Sequence, residues 1–127
     1  MGYTRRWNTT DKKFTPDFIN LNKAVIAIAH EKFGIIICDE LGTGDPIINI
    51  TQICLNGNPA GATFYLLSGQ ASQNNACETD CKPYDLVVNA LLLLAEEYGY
   101  VTDIKNEGPC FDDIAVKLIT EAKKTIA

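Results

Sequence analysis

The sequence predicts an α+β domain in which three helices accompany a small, mostly antiparallel sheet of three or four strands. Three observations support this class. A broad apolar stripe at helical spacing lies near the start, short β-branched runs separated by glycine- and proline-rich turns follow it, and a nearly all-apolar helical segment comes next. With 127 residues, the chain is long enough to bury one core and is expected to form a single domain. The predicted order is α-β-β-β-α-β-α.

The first helix is predicted over residues 16–33. Thr15 offers a capping hydroxyl, Pro16 suits the first helical position, and Gly34 follows the last apolar residue, where a left-handed cap is expected. The preceding residues 1–14 are polar, and the alternation of Tyr3, Arg5 and Trp7 with Thr4 and Arg6 is too short to define a strand. They are therefore expected to form a loose arm or a short edge strand.

The β-branched segments predict a three-stranded antiparallel meander, because the turns between them are short. Its strands are expected at residues 35–38, 47–55 and 62–67. Residues 68–80 are small, polar and without periodicity. That composition predicts a surface loop, and loops held by a rigid scaffold often carry function.

The central helix is predicted over residues 82–98, with Pro83 in its first turn and Gly99 just beyond its end. Its apolar residues cover nearly every direction around the axis, so neighbouring elements should cover it on most sides. A fourth strand is expected at residues 100–104. An amphipathic helix over residues 111–126 closes the chain.

Composition and charge exclude several classes of function. The net charge of −5 argues against broad binding to nucleic acid or to anionic lipid. The longest strongly apolar run, residues 86–95, is too short to cross a bilayer, and the first eleven residues lack the apolar core of a signal peptide. We therefore expect a cytoplasmic protein without a membrane partner. The five cysteines should be reduced thiols.

A candidate ligand site lies around the polar loop. Tyrosine side chains near both ends of the loop and amides within it would suit a nucleotide-like or sugar-like ligand. The single amide in the central helix either pairs with a neighbouring backbone group or faces the same pocket. The predicted ligand-binding residues are Tyr65, Gln70, Gln73, Asn74, Cys81, Tyr84 and Asn89.

A thiol site is the main chemical alternative. Cys81 precedes the central helix, whose free N–H groups would stabilise a thiolate, and Cys77 could act as its resolving thiol. Alternatively, both cysteines bind a metal with ligands such as His30. The C-x3-C spacing is neither redox-like nor zinc-like, and the neighbouring Glu78 and Asp80 would raise a thiol pKa. No catalytic residue, metal ligand or cofactor is therefore assigned.

An acidic turn over residues 39–45 offers oxygen ligands for calcium or magnesium. It does not match the D-x-D-x-D-G pattern of a calcium loop. A plain turn between two strands is therefore preferred.

One segment resembles a group of known proteins. The run C-K-P-Y-D at residues 81–85 enters an apolar helix, after an N-G turn at residues 56–57 and a T-F-Y strand at residues 63–65. This arrangement is similar to small, uncharacterised proteins of phages and mobile elements, over about residues 53–105. The resemblance implies a viral or accessory origin and carries over no catalytic residue.

Three functions follow as hypotheses. The leading one is a non-enzymatic binding protein, a phage or mobile-element accessory factor that holds a small nucleotide-like ligand or a host protein. The second is a thiol- or metal-dependent enzyme that uses Cys77, Cys81 and His30. The third is a homo-oligomeric assembly protein whose first and last helices pair between subunits.

Overall fold

In the computed structural model, residues 3–108 and 111–126 are described, and they form three helices and seven strands. The helices are α1 (Pro16–Phe33), α2 (Asp85–Glu97) and α3 (Asp112–Ile126). The strands are β1 (Thr4–Thr9), β2 (Ile37–Cys38), β3 (Ile47–Ile48), β4 (Gln52–Gly57), β5 (Phe64–Leu67), β6 (Ser72–Glu78) and β7 (Val101–Glu107). The α+β class and the three helices are confirmed. The strands are more numerous than predicted and form two antiparallel sheets.

The first sheet has the order β6-β1-β7. The prediction of a loose arm or edge strand over residues 1–14 is therefore wrong, because β1 is the central strand. Its alternation places Tyr3, Arg5 and Trp7 on the buried side. The predicted loop over residues 68–80 is likewise wrong in its second half, since β6 occupies it and pairs with β1.

The second sheet is built around β4, which pairs antiparallel with β2, β3 and β5. The single strand predicted over residues 47–55 is in fact two strands, β3 and β4, folded back on each other. Asn49 causes the reversal, because its side-chain oxygen accepts the N–H groups of Thr51 at 2.9 Å and Gln52 at 3.0 Å. Such an asparagine turn competes with continued strand pairing.

Helix α1 has both predicted ends. Thr15 accepts a hydrogen bond from the N–H of Phe18, and Gly34 adopts the left-handed conformation with φ 65°. Helix α2 begins at Asp85, three residues later than predicted. Pro83 lies in the preceding turn, where the N–H of Lys82 donates to the carbonyl of Thr79 at 3.0 Å.

The core is continuous across both sheets and all three helices. Helix α2 lies against α1, α3 and β7, so its predicted burial is confirmed. The rings of Trp7 and Phe64, 5.3 Å apart, join the inner faces of the two sheets. Over residues 3–108 and 111–126, none of the helices combines the length and apolarity that a membrane crossing requires.

Candidate functional site

The two sheets meet along the neighbouring edges of β5 and β6. A backbone hydrogen bond connects the two sheets at Ala62, whose N–H donates to the carbonyl of Glu78 at 2.9 Å. The carbonyl of Ala62 accepts the hydroxyl of Tyr84 at 2.6 Å and the thiol of Cys77 at 3.4 Å. The two edges are therefore closed at this end.

Towards the other end of β5, the edges diverge and leave a cleft of about 140 Å³. We call it the β5–β6 cleft, and its lining residues are Thr9, Tyr65, Leu67, Gln70, Ala71, Ser72 and Asn75. Its polar side is held by a short hydrogen-bond chain. The hydroxyls of Thr9 and Ser72 lie 2.8 Å apart, and Ser72 donates to the side-chain oxygen of Asn75 at 3.1 Å.

Beside the cleft, the second sheet exposes apolar side chains on its outer face. Ile47 and Tyr65 flank Cys54 in register on neighbouring strands, so all three lie on the same face. Leu67, two residues beyond Tyr65, extends that face. Ile47, Tyr65 and Leu67 are 41%, 47% and 41% exposed. We call these three residues the outer apolar face.

Tyr65 is oriented by a neighbouring acid. Its hydroxyl donates to the Oε2 atom of Glu40 at 2.5 Å, and this hydrogen bond raises the pKa of Tyr65 to about 12. Tyr65 is therefore a neutral donor at physiological pH. This hydrogen bond links the outer apolar face to the turn at residues 39–45.

In the same turn, the carboxylate of Asp39 accepts hydrogen bonds from backbone N–H groups of the turn itself. The Oδ1 atom of Asp39 accepts the N–H groups of Leu41 at 3.0 Å and Thr43 at 3.1 Å. These backbone hydrogen bonds, that from Thr43 most of all, hold the pKa of Asp39 below its ordinary value. The geometry is that of a plain turn stabilised by its first aspartate.

The structure separates most of the predicted ligand-binding residues. Tyr65 and Gln70 line the β5–β6 cleft together, and Gln73 is exposed on β6 outside it. The N–H of Asn74 donates to the side chain of Asn8 at 2.9 Å, and Asn74 lines a separate depression of about 300 Å³ on the first sheet.

The other predicted residues lie around α2. Cys81 is exposed in the turn before the helix. Tyr84 is buried against Ala62, and its pKa is raised by burial. Asn89 is buried and donates to Asp112 at 2.9 Å, which links α2 to α3. The partner of its amide nitrogen is therefore a side chain of another helix, and not the neighbouring backbone group that was one of the two predicted alternatives.

The two thiols of the alternative site, Cys77 and Cys81, differ in exposure. Cys77 is buried on β6, and burial raises its pKa to about 12. Cys81 lies four residues before the start of α2 and so outside the helix terminus that was expected to activate it. His30 is exposed in the last turn of α1. Within the described ranges, no three His, Cys, Asp or Glu side chains are grouped as a metal ion would require, and Cys110 lies outside those ranges.

A buried ion pair near the start of α2 was missed in the sequence. Arg5 donates two parallel hydrogen bonds to the carboxylate of Asp85, at 2.7 and 2.8 Å. Thr79 donates to the same carboxylate at 2.6 Å, and Arg5 also donates to Asn106 at 2.8 Å. The sequence feature that could have indicated the burial of Arg5 is its position between Tyr3 and Trp7, two large aromatic residues at alternate positions of the strand. This network joins the first sheet to α2.

The cleft offers both apolar contact and hydrogen bonds. Its lining combines the apolar side chains of Leu67 and Ala71 with hydroxyls, amides and a phenol, and it has no carboxylate, imidazole or thiol. Such groups orient a bound side chain or small polar group by hydrogen bonds. Comparisons of the chain with protein families, with curated proteins and with solved structures found no match.

Proposed function

We propose that the protein is a non-enzymatic binding protein whose partner is another protein, docked on the outer apolar face with one side chain in the β5–β6 cleft. The observation that carries the proposal is the exposure of Ile47, Tyr65 and Leu67 together, directly beside the cleft. Exposed apolar residues that form a continuous surface are typical of protein-binding sites. Surface apolar residues that occur singly need no such explanation.

The size of the cleft supports a protein partner over a nucleotide. Small-molecule sites usually enclose about 300–1,000 Å³. The β5–β6 cleft has about 140 Å³, which suits a single side chain and is too small for a whole nucleotide. Of the two ligands that the sequence suggested, we therefore favour the host protein.

The partner is expected to present an extended segment. Among the described residues, β5 pairs with β4 alone and β6 pairs with β1 alone, so each strand leaves one edge outside its sheet. An extended peptide adds to such an edge through main-chain hydrogen bonds. Every second side chain of the peptide would then lie on the side of Tyr65 and Leu67, which belong both to the outer apolar face and to the cleft lining.

The origin and location of the protein belong to this proposal. A phage or mobile-element accessory factor would meet such a partner in the cytoplasm of its host, which agrees with the resemblance of residues 81–85. The thiol-enzyme alternative has less support, because Cys77 is buried and its pKa is about 12. A second copy of the chain is the remaining alternative occupant of the outer apolar face.

A display library of linear nonapeptides tests the proposal. Selected peptides should bind the wild-type protein, and Leu67→Asp should weaken their binding by about tenfold or more, since it places a charge in the apolar contact. Tyr65→Ser should have a similar effect. The matched control is Val116→Asp. Val116 lies on α3, is 51% exposed and does not line the cleft, so this variant should leave peptide binding unchanged.

Backbone amide shifts in the nuclear magnetic resonance spectrum should map the bound peptide to β5 and β6. The proposal is overturned if the variants bind the selected peptides as tightly as the wild type, or if the shifts lie on other elements. Light scattering distinguishes the second copy: a dimer that Leu67→Asp dissociates would assign the outer apolar face to self-association and contradict the proposed partner.

A further inference from the structure

A second surface lies on different elements, between the end of α1 and one side of α3. It is an open groove of about 460 Å³. Its apolar floor is formed by Phe33, Ile114 and Leu118, and Phe33 is 52% exposed although it is a large aromatic residue. We call it the α1–α3 groove. It goes beyond the proposed function, which concerns β5 and β6.

The groove is elongated. The residues that α3 contributes include Ile114, Lys117, Glu121 and Lys124, which follow one another at spacings of three or four and so form a stripe along the helix. From residue 114 to residue 124, this stripe is about 15 Å long, or three turns. An occupant of that length with a matching stripe is an α-helix laid along the groove.

The charge of the groove differs in sign from that of the whole protein. Lys32, Lys117 and Lys124 border it together with one acid, Glu121, so its net charge is +2. The chain carries −5, and its remaining residues therefore carry −7. Lys32 pairs with Glu121, whereas Lys117 and Lys124 have no ion pair within residues 3–108 and 111–126.

We propose that the α1–α3 groove binds an acidic amphipathic helix of a partner protein. An apolar stripe of that helix packs on Phe33 and its neighbours, and flanking Asp or Glu side chains approach Lys117 and Lys124. Charge disfavours a second copy paired groove to groove, because both surfaces carry +2.

A library of helical peptides tests this proposal. Peptides of about 15 residues, which span four turns, are randomised on one face with apolar, acidic, basic and neutral residues. Selected sequences should combine an apolar stripe with an acidic flank. The double variant Lys117→Glu/Lys124→Glu should weaken their binding by about tenfold or more. Its matched control, Lys23→Glu/Lys105→Glu, changes the net charge equally at exposed sites outside the groove and should leave binding unchanged.

A second pair of variants tests the contribution of the apolar floor to binding. Phe33→Ser should weaken binding, whereas Phe111→Ser, at a phenylalanine of similar exposure outside the groove, should not. The proposal is overturned if selected peptides lack acidic enrichment, or if both charge variants weaken binding equally. A dimer abolished by Phe33→Ser would assign the groove to a second copy. Leu67→Asp should leave helical-peptide binding intact, so this test and that of the outer apolar face fail independently.

Discussion

Arg5 keeps its charge in the interior because Asp85 accepts two of its hydrogen bonds and Asn106 accepts a third. A buried ion pair adds little net stability over an apolar pair of the same size, since both charges lose their hydration. Removing only one of the two charged groups is strongly destabilising, because the other charge is then buried without a partner of opposite sign. The pair is thus a condition for the observed packing of β1 against α2.

Asp85→Asn should lower the free energy of unfolding by about 3–5 kcal/mol, because the guanidinium of Arg5 is left facing a neutral amide. Urea unfolding followed by circular dichroism measures the change. The control is Glu107→Gln, which removes the exposed ion pair with Arg6 and should cost about 1 kcal/mol at most. Equal losses in the two variants would contradict the structural role of the buried pair.

Cys77 and Cys81 should differ sharply in reactivity. At about pH 8, alkylation with iodoacetamide should modify exposed Cys81 readily and leave Cys77 intact, because the thiolate is the reactive form and burial raises the pKa of Cys77 to about 12. The alkylation rate of Cys77 should rise only when the pH is raised well above 8, towards the pKa of its thiol. Peptide mass spectrometry resolves the two sites. A Cys77 that reacts as fast as Cys81 in the folded protein would restore the thiol-enzyme hypothesis.

At the scale of elements, local chemistry decided what could be predicted. Helix α1 was predicted at both ends because Thr15, Pro16 and Gly34 act within one turn of the chain. Strand β6 was missed because it is an edge strand with five of its seven residues exposed, so its composition is that of a loop. The central position of β1 was missed, although a short edge strand was one of the two alternatives, because Arg5 counts as polar until its partner, eighty positions away, is known.

Gly34 offers a test of the α1 terminus. Its φ is 65°, and a Cβ atom added there would have no heavy atom within 4 Å, so backbone conformation alone should decide the outcome. Gly34→Ala should cost about 1 kcal/mol of unfolding free energy. Gly34→Asn should cost less, because asparagine tolerates the left-handed region. Thermal unfolding of the two variants measures this difference, and equal stability of Gly34→Ala and wild type would contradict the left-handed cap.

At the scale of the whole molecule, the fold separates most of the predicted site residues and adds others from strands distant in sequence. Tyr65 and Gln70 were recognised correctly as neighbours, since a short connection keeps them close. Thr9 was not recognised as part of the same cleft, because it reaches the cleft only through the pairing of β1 with β6. Tyr84 and Asn89 resemble pocket residues in the sequence, yet both side chains are buried, and they donate to the carbonyl of Ala62 and to Asp112.

Deletion of residues 1–10 should abolish cooperative unfolding. It removes the central strand of the first sheet, leaves β6 and β7 without a common neighbour, and strips Asp85 of its cationic partner. Circular dichroism and the dispersion of amide resonances measure the loss. A truncated protein that unfolds cooperatively near the wild-type temperature would show that β1 is an arm, as its composition first suggested.

The central position of β1 has a consequence for synthesis on the ribosome. Residues 10–100 separate β1 from β7, and at the usual rate they take about 5–20 s to translate. Throughout that interval, the strand that carries Trp7 has at most one of its two neighbours. The central strand of the first sheet is thus made before both of its neighbours and is enclosed only once β7 has been made, so its tryptophan stays accessible to chaperones until then.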